Sequence, residues 1–103
     1  MKCNINGFEW ELLECGNSEI PMNDGLFYGR TFYFDKKIYI NKDADEKSKK
    51  QALRHELTHA FISETQISNQ EKDYTYTEEM LCEFVAKYGE AIEKITNNYF
   101  MEK

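Results

Sequence analysis

The two histidines of this chain, His55 and His59, stand four residues apart with Glu56 beside the first, in the string His55-Glu56-Leu57-Thr58-His59. On an α-helix, residues four apart share a face, so two imidazole nitrogens can reach one metal ion. This is the HExxH spacing of zinc hydrolases. His55 and His59 are expected to bind Zn2+, and Glu56 to act as general base on a zinc-bound water. The motif uses every histidine in the sequence. The competing reading is an ordinary amphipathic helix whose histidines hold nothing, so the surrounding chain has to encode a helix here and a third donor elsewhere.

Catalytic zinc usually takes three protein ligands and keeps one position for water. With no histidine left, a carboxylate has to be the third. The segment from Thr77 to Ala86 offers Glu78, Glu79 and Glu83. Glu79 is the expected ligand: it falls in the first turn of a predicted helix, on the same side as Cys82 and Ala86, which are small enough to let another helix approach. Glu83, one turn later, is expected to accept a hydrogen bond from a ligand histidine. Glu78 reads as a first-turn charge favoured by the helix dipole. All three remain alternatives for the third ligand.

The elements that must position these residues are predicted from periodicity. Phe8 to Leu12 alternates apolar and polar, which marks a half-buried strand over about Ile5 to Glu14. Turn residues fill Gly16 to Gly25. A second strand is expected from about Phe27 to Phe34, then a tight turn at Asp35-Lys36 and a third strand over Lys37 to Ile40, paired back on the second. After Asn41 the period changes to that of a helix. Asp43 or Asp45 caps it, and it runs to about Ser63 with Ala52, Leu53, Leu57, Ala60 and Phe61 on its buried side. The residues from Glu64 to Thr77 are polar and read as a loop. A second helix starts at a Thr77 cap and ends near Tyr99, with a broad apolar stripe of Leu81, Phe84, Tyr88, Ile92, Ile95 and Tyr99. The expected fold class is α+β: a small antiparallel three-stranded sheet followed by two long helices, a single domain over residues 1–103.

Composition narrows the function classes. The chain has 103 residues, enough for one modest core, and a net charge of −6 with no dense basic cluster, which argues against a nucleic-acid partner. No stretch approaches a membrane span, and the first ten residues lack the apolar core of a secretory signal, so the expectation is no membrane and a cytoplasmic location. The cysteines Cys3, Cys15 and Cys82 are odd in number and form no CxxC pair. They read as reduced thiols, with Cys82 a small buried hydrophobe.

The order strand, HELTH helix, polar loop and then Glu79, Cys82, Glu83 and Phe84-Val85-Ala86 resembles the ImmA/IrrE group of zincin-like metallopeptidases over roughly Ile38 to Tyr88, and is close to its small prophage-type members. The chain has Thr58 where that group more often has Gly, and Glu83 where it more often has Asn. The resemblance implies a zinc-dependent peptidase with Glu79 as third ligand. The expected partner is a protein or peptide substrate, with a phage or host regulator in view. On the mechanism so implied, Glu56 takes a proton from water and passes it to the leaving amine. A substrate segment adds as a strand to Lys37–Ile40, and Tyr74 or Tyr76 is a candidate to stabilise the oxyanion. The alternative is a non-catalytic, zinc-stabilised binding protein, whose closed site would draw a fourth ligand from Cys3, Cys15 or Cys82.

Overall fold

The computed structural model describes residues 1–16, 19, 28–65 and 77–101. Four strands and two helices follow one another: β1 (Lys2–Ile5), β2 (Phe8–Cys15), β3 (Gly29–Phe32), β4 (Lys37–Asn41), α1 (Glu46–Glu64) and α2 (Glu78–Met101). The strands form one mixed sheet in the order β1-β2-β4-β3, in which β1/β2 and β3/β4 are antiparallel and β2/β4 is parallel.

This corrects the three-stranded antiparallel sheet expected from the sequence, for two physical reasons. The expected first strand runs straight through Asn6-Gly7, but these residues have φ of 51° and 92° and turn the chain back so that Ile5 pairs with Phe8. Two consecutive positive φ values are what a two-residue hairpin of the primed type demands, and Asn-Gly is the pair best suited to them. The second reason lies in β4, whose Ile38 and Ile40 are fully buried. It occupies an interior position, with the β3 hairpin on one side and β2, in parallel register, on the other. Strands adjacent in sequence are often adjacent in space, but not always. Among the described residues the sheet edges are therefore β1 and β3, and Lys37–Ile40 is no edge to which a substrate strand can add.

One face of the sheet carries Ile5, Trp10, Leu12, Ile38 and Ile40, which pack with Leu53, Leu57, Ala60 and Phe61 of α1. Asp45 caps α1, its carboxylate accepting the Ser48 amide at 2.6 Å, and α1 crosses β1, β3 and β4. Helix α2 lies antiparallel against α1: Arg54 meets Glu93 with nitrogen–oxygen distances of 2.8 and 3.1 Å, and the Phe61 and Tyr88 rings sit 5.7 Å apart. It packs through Phe84, Ile92, Thr96 and Tyr99, whereas Glu79, Cys82, Glu83 and Ala86 are exposed. Both the small-residue approach face and the buried Cys82 expected from the sequence are thereby overturned. The stripe of large side chains removes far more apolar area from water than Cys and Ala can, and that term sets how the helix docks.

No helix among the described residues is long and apolar enough to cross a membrane.

Candidate metal and catalytic site

Helix α1 carries the two histidines of the motif on its exposed side and Glu56 and Leu57 on its buried side. Leu57 and Ala60, between and beyond the histidines, are fully buried, which fixes the rotation of the helix on the sheet and turns His55 and His59 outward. Their Nε2 atoms converge to 3.2 Å, with the rings inclined at 76°. Two nitrogens held at ordinary zinc distances on a tetrahedral ion stand about 3.3 Å apart. The observed separation matches that requirement, so this pair fits a zinc ion.

Glu56 points the other way, toward the sheet, and is 9% exposed. Its Oε1 accepts a hydrogen bond from Thr31 Oγ1 of β3 at 2.7 Å. Gly29, on the same face of that strand, lets the glutamate stem lie against the backbone: a Cβ there would stand 2.8 Å from Glu56 Cγ and 3.2 Å from Ile40 Cδ1. A cavity of about 430 Å³ opens beside the motif, lined by Tyr28, Ser48, Gln51, Ala52, His55 and Glu56. The predicted base and one predicted ligand thus share a cleft whose other walls, among the described residues, carry no charge.

The third donor is placed differently. Among the described residues no group of three His, Cys, Asp or Glu side chains is arranged to hold a metal ion. Glu79 lines a separate groove with Thr65, Met80, Glu83, Phe84, Lys87 and Tyr88. The antiparallel packing explains this, because it sets the start of α2 beside the end of α1. Thr65 lies six residues beyond His59, about 9 Å along the helix axis at 1.5 Å per residue. Glu83 makes a 3.7 Å contact with Lys87 on its own helix and Glu78 is exposed, and among the described residues neither bonds a histidine. The three cysteines are free, with Cys3 and Cys15 in the sheet and Cys82 on the surface of α2. Tyr74 and Tyr76 lie outside the described residues.

Sequence reasoning missed Thr31 and Gly29. The available signal was Gly29 itself, since a glycine inside a strand often marks a close approach by another group.

The family model Peptidase_M78, the IrrE N-terminal-like domain, matches residues 19–94, about three quarters of the chain. No match is found among curated proteins or among solved structures. The matched span takes in β3, β4, the whole of α1 with its histidine pair, and most of α2, and the chain belongs to the IrrE N-terminal-like domain family, a metallopeptidase-type family.

Proposed function

We propose that this protein is a zinc-dependent peptidase in which His55 and His59 hold the ion and Glu56 is the general base. The observation that carries the proposal is the convergence of the two Nε2 atoms to 3.2 Å beside a buried glutamate that opens onto a cleft. Bound there, Zn2+ would supply Lewis acidity toward a carbonyl and lower the pKa of a coordinated water toward neutrality. Glu56 accepts a proton from the attacking water as its oxygen bonds the carbonyl carbon, and returns it to the amine nitrogen as the C–N bond breaks. The third donor is proposed from the sequence pattern as Glu79, not from the described packing.

The substrate is proposed to be an extended segment of a peptide or protein, with a phage or host regulator as the class of target. Among the described residues β3 has a strand on one side only, and its Gly29 and Thr31 border the motif, so this edge replaces β4 as the place where a substrate strand would add. The test pairs metal analysis with proteolysis. Purified protein should contain about one equivalent of zinc, which His55→Ala and His59→Ala remove. Glu56→Gln should keep the zinc and lose hydrolysis. A folded wild type that takes up no zinc overturns the proposal. A Glu56→Gln protein with full biological activity supports the zinc-stabilised binding protein instead.

A further inference from the structure

We infer that Thr31 is a positioning residue for Glu56, setting the orientation of its carboxylate for proton transfer; this rests on Glu56 being the general base. Two contacts from one strand hold the two ends of the glutamate side chain. The Cγ methylene lies against Gly29, where a Cβ would come within 2.8 Å, and the carboxylate is bonded through Oε1 to the Thr31 hydroxyl at 2.7 Å. Thr31 and Gly29 are two residues apart in β3 and so face the same side of the sheet, opposite Ile38 and Ile40 of β4 in register. A glutamate has three rotatable bonds, and a base works only from within hydrogen-bond reach of the proton it takes. Anchoring stem and head removes most of that freedom.

The choice of donor also matters. A buried carboxylate requires a hydrogen-bond partner. A hydroxyl provides one without placing a positive charge next to the two histidines. On the carboxylate it engages only Oε1, at 2.7 Å; its second, longer contact is to the Glu56 main-chain carbonyl at 3.3 Å. Among the described residues Oε2 has no hydrogen-bond partner, and no buried side-chain oxygen is left unsatisfied, so Oε2 is not sealed from solvent, and Glu56 lines the cleft. The arrangement holds one oxygen and leaves the other for water.

The test uses Thr31→Val, which keeps the shape and strand preference of Thr but lacks the donor, with Thr31→Ala as a second donor-free variant and Thr31→Ser as rescue. Crystal structures of metal-free wild type and Thr31→Val should show the Glu56 carboxylate displaced in the variant. With zinc-loaded protein and the unstructured chain of β-casein as probe, both donor-free variants should lose about ten- to a hundredfold in kcat, the range set by one hydrogen bond to a charged acceptor. KM and zinc content should stay at the wild-type level, and Thr31→Ser should recover the rate to within a few-fold. A carboxylate that stays in place in Thr31→Val, or a kcat that does not fall in either donor-free variant, overturns the inference. So does a fall in zinc content that accounts for the lost rate, because the threonine would then only brace the helix. Undiminished hydrolysis by Glu56→Gln refutes the base assignment instead, and the crystallographic comparison still reports separately on what Thr31 holds.

Discussion

Trp10→Phe is expected to be among the most destabilising conservative changes in this protein, because of what the indole nitrogen touches. Trp10 is fully buried, and its Nε1 donates to Glu64 Oε2 at 2.7 Å. The same oxygen accepts Lys36 Nζ at 2.5 Å, and the Glu64 side chain is only 7% exposed. Asn6 Nδ2 donates to the Glu64 carbonyl at 2.8 Å, so the end of α1 is tied to the β1–β2 turn and to β2, and through Lys36 to the β3–β4 turn. Phenylalanine removes the donor from a buried charged acceptor, at a cost of about 1.5–3 kcal/mol. The space vacated by the distal six-membered ring of the indole adds roughly 1 kcal/mol, a fraction of a full aromatic truncation. The total is about 3 kcal/mol, or roughly 12–24 °C in Tm for a domain near this size. Glu64→Gln keeps an acceptor for the indole and removes only the charge facing Lys36. That lysine side chain is 34% exposed and screened by water, so this change should cost only about 1 kcal/mol. Urea unfolding of both single variants and the double variant measures each cost and the coupling. A Trp10→Phe protein within about 1 kcal/mol of wild type would refute the anchor.

The surface thiol should be distinguishable from the two in the sheet. Cys82 is exposed, whereas burial pushes the Cys3 thiol up to about 11 and also raises Cys15. Alkylation at pH 8 followed by mass spectrometry should modify Cys82 first, and equal rates at all three would contradict the strand placement of Cys3 and Cys15. Burial, with Glu14 accepting its hydroxyl at 2.7 Å, raises the Tyr99 phenol well above its ordinary value. The unfolded chain therefore gives up this proton first as pH rises past about 10, and stability present below that pH is lost above it. Tyr99→Phe should flatten that alkaline loss, and an unchanged slope would show that Tyr99 is not its source. If Glu79 is the third zinc donor, Glu79→Ala should weaken zinc binding in a competitive chelator titration more than Glu83→Ala or Glu78→Ala; the reverse order would assign the site to another carboxylate.

The parts legible in the sequence were those encoded within a single element. Helix α1 was readable from its 3.6-residue period and its Asp45 cap, and the histidine spacing within it needed no knowledge of the rest of the chain. Thr77 capping was equally local, and its hydroxyl accepts the Met80 amide at 3.1 Å. The Asn6-Gly7 turn was also local, but the alternation from Phe8 to Leu12 extended the predicted strand over it. What the sequence did not show was arrangement between elements. Nothing in Lys37–Asn41 states that its second neighbour is β2 in parallel, and nothing in Thr31 distinguishes it from other strand threonines until Glu56 is set opposite it.

The same distinction separates the two halves of the metal site. His55 and His59 are placed by one turn of one helix, so their convergence persists wherever α1 packs. A third donor from α2 depends on how that helix rotates and slides against α1, which is a balance of packing terms. Phe84, Ile92, Thr96 and Tyr99 turn inward together, and this rotation carries Glu79 outward, into the groove that it shares with Thr65. The two antiparallel pairs set Glu79 about nine to eleven residues beyond the level of His59, so to bring it there α2 would have to advance by roughly two and a half to three turns and break the Arg54–Glu93 pair and the Phe61–Tyr88 contact. Zinc binding through Glu79 would therefore be coupled to a repacking of α2. Loading with zinc should change the near-ultraviolet signal of Tyr88 and Tyr99 in the wild type and leave it unchanged in Glu79→Ala, whereas a site completed without α2 would take up zinc with those tyrosines undisturbed.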